Sequence, residues 1–239
     1  MASREEEKRL RREEREKAQA AAAASQSRAK RLQFLLGALL TIAVVVGVVL
    51  LVTGGDDKGG QTGGTPTTPK DTAPIPAAKE TDLDKAAAAA DCTLANPVIE
   101  GSTHVDGKVN YKSSPPTSGN HNATPALDGV YTPGNEPAPE NWVHALEHGR
   151  IVFLYKPGTP EKTISQLETL VNEPLNGKNA YKILLLQSDY NMGDYQVAAS
   201  AWGHSIGCKK PSDAMFDALR DFRVKYVDKG PEPGIPPNN

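Results

Sequence analysis

The chain has 239 residues, 38% of them hydrophobic and 23% charged, with a formal net charge of −2. It has no basic face with interleaved aromatics, which excludes the usual nucleic-acid-binding surface. The absence of C-x-x-C, of a glycine-rich phosphate loop and of G-x-S-x-G excludes thioredoxin-type, P-loop and nucleophile-elbow chemistry.

The near-neutral total hides an asymmetry along the chain. Residues 1–33 hold ten Lys/Arg and six Glu and read as a charged cytoplasmic tail, with Glu5 and Glu7 set against Arg9 and Arg11 at helical spacing. Residues 34–52 are 19 in a row without a charge. As a helix they span roughly 28 Å, close to the hydrocarbon thickness of a bilayer. No A-x-A cleavage signal follows, so the run predicts one transmembrane helix and not a removed leader. The 187 residues beyond it hold 17 Lys/Arg and 23 Asp/Glu. The positive-inside rule then puts the N-terminus in the cytoplasm. The expected placement is the cell membrane, single-pass, with an extracellular C-terminal domain and the lipid bilayer as a partner.

Residues 53–90 read as a flexible Gly/Thr/Pro linker ending in a short Ala-rich helix, because they offer almost nothing to bury. The folded domain is expected over 91–233, with 234–239 as a C-terminal tail. Its first half, to about residue 141, is rich in proline and glycine and reads as loops. Its second half is regular. Residues 150–155 predict a strand. Thr159-Pro160-Glu161 opens a helix whose stripe is Ile164, Leu167, Leu170 and Val171. Residues 181–187 predict a second, central strand and 196–202 a third. Ser212-Asp213 leads into a helix with Met215, Phe216, Leu219 and Phe222 on one face. The first two strands, joined through a helix, are expected to be parallel. The fold class expected is α+β or a small α/β sandwich: a three-stranded-core mixed sheet with two helices and a long loop-rich N-terminal half, preceded by one transmembrane helix.

Four of the five histidines fall within 45 residues: His104, His121, His144 and His148. Imidazole is the commonest metal-ligating side chain, and a spacing of four puts His144 and His148 on one helix face. These four are the expected metal ligands, for copper or zinc. Glu147 and Asp106, with Glu136 and Glu140, are the expected partners that orient the rings. His144-Ala145-Leu146-Glu147-His148 also fits H-x-x-E-H, in which Glu147 activates a zinc-bound water. Against that reading, Gly149 ends the helix at once. Histidines that merely hold loops are the plain alternative.

Tyr111, Pro115-Pro116-Thr117-Ser118-Gly119 with His121, Gly129-Val130-Tyr131, residues 143–149 (VHALEHG), Ala201-Trp202-Gly203 and Gly230-Pro231-Glu232 resemble the bacterial DUF3105 family. The resemblance implies one extracytoplasmic DUF3105-like domain behind a single membrane anchor, and no assigned reaction.

Cys92 and Cys208 are expected to form a disulfide. Closing a loop of that length stabilises by roughly 4–5 kcal/mol in the chain-entropy picture. Ser118 is expected to serve a turn, and Met192 to fill a gap and not to bind Cu(I). The function expected is a copper- or zinc-binding or envelope interaction module, with a possible envelope protein partner. The alternatives are a zinc-dependent hydrolase and a scaffold without a ligand.

Overall fold

Two apolar runs, Ile151–Tyr155 and Ile183–Gln187, lie side by side in parallel as interior strands of a six-stranded mixed sheet. Nearly every residue of both is buried, so both sheet faces must be covered by other elements. The structure is a computed structural model and describes residues 64–235. In chain order the described elements are α1 (Leu83–Ala89), β1 (Cys92–Ala95), β2 (Gly129–Val130), α2 (Pro139–Glu147), β3 (Ile151–Tyr155), α3 (Glu161–Asn172), β4 (Ile183–Gln187), β5 (Val197–Ala201), β6 (His204–Cys208) and α4 (Met215–Tyr226).

The strands run in the order β1-β6-β5-β3-β4-β2. β2, β4 and β3 are parallel, and β5, β6 and β1 add antiparallel neighbours. Alternation divides the side chains between two apolar clusters. Ile151, Phe153, Ile183, Leu185 and Ala199 pack with α1, α3 and α4. Val152, Leu154, Leu184, Leu186 and Ala198 pack with Trp142, Val143, Ala145 and Leu146 of α2 and with loop residues Tyr111, Tyr131 and Met192. Each large apolar side chain buried this way contributes roughly 1.5–3 kcal/mol of transfer free energy.

The expected three-stranded core is therefore corrected to six strands, and the two helices to four among the described residues. The additional strands had little local signal. β2 is two residues long, and β1 is four residues at the sheet edge, paired with β6 as its one strand neighbour. β6 contains only one strongly β-favouring residue, Ile206, and follows β5 after Trp202-Gly203, where Gly203 takes φ +73°. Cys92 stands opposite Cys208 in the β1–β6 register and is disulfide-bonded to it.

The expected transmembrane helix over 34–52 lies outside the described residues. Among the described residues no helix is long and apolar enough to cross a membrane. The longest have 12 residues, or about 18 Å at 1.5 Å per residue. The single-pass cell-membrane placement, with a cytoplasmic N-terminus and an extracellular domain, is withdrawn on that finding. Residues 64–90, read above as linker, lie on the domain. Thr67 exchanges two backbone hydrogen bonds with Val130 at 2.8 Å each. Asp217 accepts from the backbone N–H groups of Lys79 and Glu80, both at 3.2 Å. The Ala-rich helix forms as α1, capped by Asp82, with Ala86 and Ala87 in the core.

Candidate metal centre

Helix α2 begins at Pro139, where the missing N–H and fixed φ suit a first turn, and runs nine residues. Its apolar face carries Trp142, Val143, Ala145 and Leu146 into the core. That packing fixes the azimuth of the other face, which bears His144 and Glu147. Gly149 ends the helix at φ +77°, with its N–H on the Leu146 carbonyl at 2.9 Å. A Cβ there would sit 2.8 Å from Asp228 Cα, so glycine is required on two counts.

Loops supply the remaining groups, and polar contacts hold those loops. The Glu100 carboxylate accepts from Lys112 and Ser113 backbone N–H groups at 2.8 and 2.7 Å. The Tyr111 hydroxyl donates to the Asn120 carbonyl at 2.7 Å. Gly119, at φ +130°, lets that ring pass: a Cβ would be 2.7 Å from Tyr111 Cε1. His121 is fully buried, and its backbone pairs with Thr103 and Val105 at 3.1 and 2.8 Å, which brings exposed His104 alongside.

The rings of His104, His121 and His144 have centroids 4.6–5.1 Å apart. His104, His121, His144 and Glu147 each offer one ligand atom, all within 4.8 Å of one another. This is a His₃Glu group close enough to hold a metal ion.

Two tautomers are set by backbone. His121 Nδ1 lies 2.8 Å from the Gly119 carbonyl and His144 Nδ1 lies 2.7 Å from the Asn122 carbonyl. A carbonyl only accepts, so both Nδ1 atoms carry hydrogen, and in the neutral ring each Nε2 presents a lone pair. His121 Nε2 faces Oε2 of Glu147 at 3.1 Å. It is buried and has no hydrogen-bond donor. With the ring neutral, two electron-pair donors stand face to face, which a shared proton or a metal ion satisfies. Burial pushes the Glu147 carboxyl above the usual carboxylate range, helped by the Glu232 charge and opposed by His121. Burial lowers His144 to about 4, opposed by the Asn122 carbonyl and helped by the other rings. His148 is also pulled to about 4, by burial first and then by Arg150. Neutral imidazole, the metal-binding form, is thus the resting form of both.

The expected residues divide as follows. His104, His121 and His144 come together. His148 lies outside the group of four, with its Nε2 3.0 Å from that of His144. Glu147, expected as a partner that orients the rings, is inside the group. Its i,i+3 relation to His144 carried that signal. Asp106 is exposed. Glu140 instead accepts from the Val109 N–H at 2.6 Å, and Glu136 from that of Gly134 at 2.9 Å. Ser118 accepts from the Glu100 N–H at 3.0 Å, a loop-holding role. Met192 is buried in the apolar cluster on the α2 side. The fifth histidine, His204, bonds Asn96 at 2.6 Å and stacks on Tyr226. The Gly119 and Asn122 carbonyls that orient the rings are backbone groups, which no sequence pattern announces.

Fold and site together define a disulfide-linked α/β domain with a His₃Glu group on the α2 side of its sheet. The family described as "Protein of unknown function (DUF3105)" matches residues 103–239, more than half of the chain, and the chain belongs to that family. No curated protein and no solved structure matches it.

Proposed function

We propose that this domain binds a divalent transition-metal ion, zinc or copper(II), through His104, His121, His144 and Glu147. The observation that carries the reading is the buried, donor-less Nε2 of His121 facing the Glu147 carboxylate. Hydrogen bonds from both Nδ1–H groups to carbonyls support it, since ligating histidines are oriented in that way. Three imidazoles and a carboxylate form a borderline donor set, and both cysteines are committed to the disulfide. Copper(I), which favours thiolate and thioether, is the poorer match. A disulfide suits an oxidising compartment.

Binding is favoured over hydrolysis because Glu147 lies among the ligand atoms and is not set apart to activate a water. Elemental mass spectrometry of the purified full chain tests the proposal, with His144→Ala/Glu147→Ala alongside. Near-stoichiometric zinc or copper is expected in the wild type and none in the variant. A wild-type protein that stays empty after incubation with Zn²⁺ and Cu²⁺ overturns the proposal.

A further inference from the structure

His144 Nε2 carries a lone pair, because its Nδ1–H is committed to Asn122. That lone pair can bind an ion or accept an N–H, and not both at once. His148 Nε2 stands 3.0 Å from it, at hydrogen-bond distance. His148 lies outside the four residues whose ligand atoms cluster.

A second acceptor for His148 is close by. Oε2 of Glu232 is 3.6 Å from His148 Nε2, too long for a hydrogen bond and one small movement short of it. The Glu232 backbone is anchored, its N–H donating to the Glu147 carbonyl at 3.0 Å. Its side chain is 54% exposed and free to close the gap. The chain around it is seated on the end of α2. Asp228 N–H donates to Gly149 at 2.9 Å, and Arg150 donates to the Ile235 carbonyl at 3.1 Å. At Gly230 a Cβ would lie 2.2 Å from the Glu147 carbonyl oxygen, so nothing larger than glycine lets the segment sit so close.

Building on the metal-binding reading above, we infer that His148 guards the site and is not a ligand. Its Nε2–H holds the His144 lone pair until an ion takes it, and then turns to Glu232, a positioning residue carried on the C-terminal segment. No proton is gained or lost in the exchange; one donor changes acceptor. Metal loading thereby tightens residues 228–235 onto α2.

The test measures Zn²⁺ affinity of the full chain by competition with a chromophoric chelator. Removing the guard removes a competitor, and the gain shows where Glu232 is absent: His148→Ala/Glu232→Ala binds zinc about fivefold tighter than Glu232→Ala, the effect of one hydrogen bond, while in the wild-type background the lost bond to Glu232 offsets it. His148→Phe, which keeps the ring volume without a donor, does the same in each background. Glu232→Ala binds about fivefold weaker, and Glu232→Gln, whose amide oxygen still accepts, stays near wild type. In the His148→Ala background Glu232→Ala has no further effect, which a merely structural contribution would not produce. If both His148 variants lose tenfold or more, His148 is a ligand and the inference is overturned. Equal losses from Glu232→Ala in both backgrounds overturn the part given to Glu232. A wild type that takes up no zinc overturns the metal-binding reading as well, an outcome distinct from either.

Discussion

The two faces of the sheet are built by different physics. On the α1–α3–α4 side the cover is periodic: apolar stripes on helices meet the alternate residues of β3, β4 and β5. On the α2 side one short helix shares the cover with loops, and polar groups, buried (Tyr111, Glu140, His121 and His144) or half-buried (Glu100), hold those loops. Hydrophobic burial is non-directional and tolerant. A buried polar network is directional, and each unpaired member carries the full cost of desolvation. The first face therefore sets stability, while the second trades stability for a site. Opening the disulfide probes the first face most strongly, because Cys208 belongs to its cluster and ties β1 to the sheet. Cys92→Ser/Cys208→Ser is expected to lose about 4–5 kcal/mol in urea unfolding, with the metal-to-folded-protein ratio unchanged. A parallel loss of metal would erase the distinction between the faces.

Acid separates the faces next. Unfolded, each imidazole titrates near 6.5; in the fold His144 and His148 are held at about 4. Between those values the unfolded chain carries protons that the native state lacks. Stability that is fully present above about pH 6.5 is thus lost as pH falls toward 4, at about 1.4 kcal/mol per ring per pH unit. Urea midpoints of chelator-treated protein at pH 7.5, 6 and 5 read this directly, and His144→Asn/His148→Asn should flatten the profile. An equally steep profile in that variant places the acid sensitivity elsewhere.

The same contrast explains what could be read in advance. The strands at 150–155 and 181–187, the two 12-residue helices and their apolar stripes follow from periodicity, and their parallel pairing follows from the helix between them. β1, β2 and β6 are short, poor in β-branched residues, and exist because neighbouring strands and the Cys92–Cys208 register hold them. On the site side, the clustering of histidines in sequence located His104, His121 and His144. It did not distinguish Glu147, inside the group, from His148, outside it. That depends on how Trp142 and Leu146 seat the helix, and seating is a tertiary fact. Glu232 lies 84 residues beyond His148 in the chain and reaches it only because Gly230 lets the C-terminal segment touch the end of α2.

The smallest expected effect is the sharpest. In Glu147→Gln the amide supplies an N–H where the wild type presents a carboxylate oxygen, 3.1 Å from the His121 lone pair. That variant satisfies His121 Nε2 and also removes a buried charge whose ionisation burial already opposes. In chelator-treated protein it should be more stable than wild type by about 1 kcal/mol, the net value of one buried hydrogen bond, while its zinc affinity falls because a charged ligand is gone. Stability rising as affinity falls is the signature of a residue kept for binding at the expense of the fold. If Glu147→Gln instead destabilises the metal-free protein, the carboxylate is part of the packing that holds α2, and the two faces differ less than their hydrogen bonds imply.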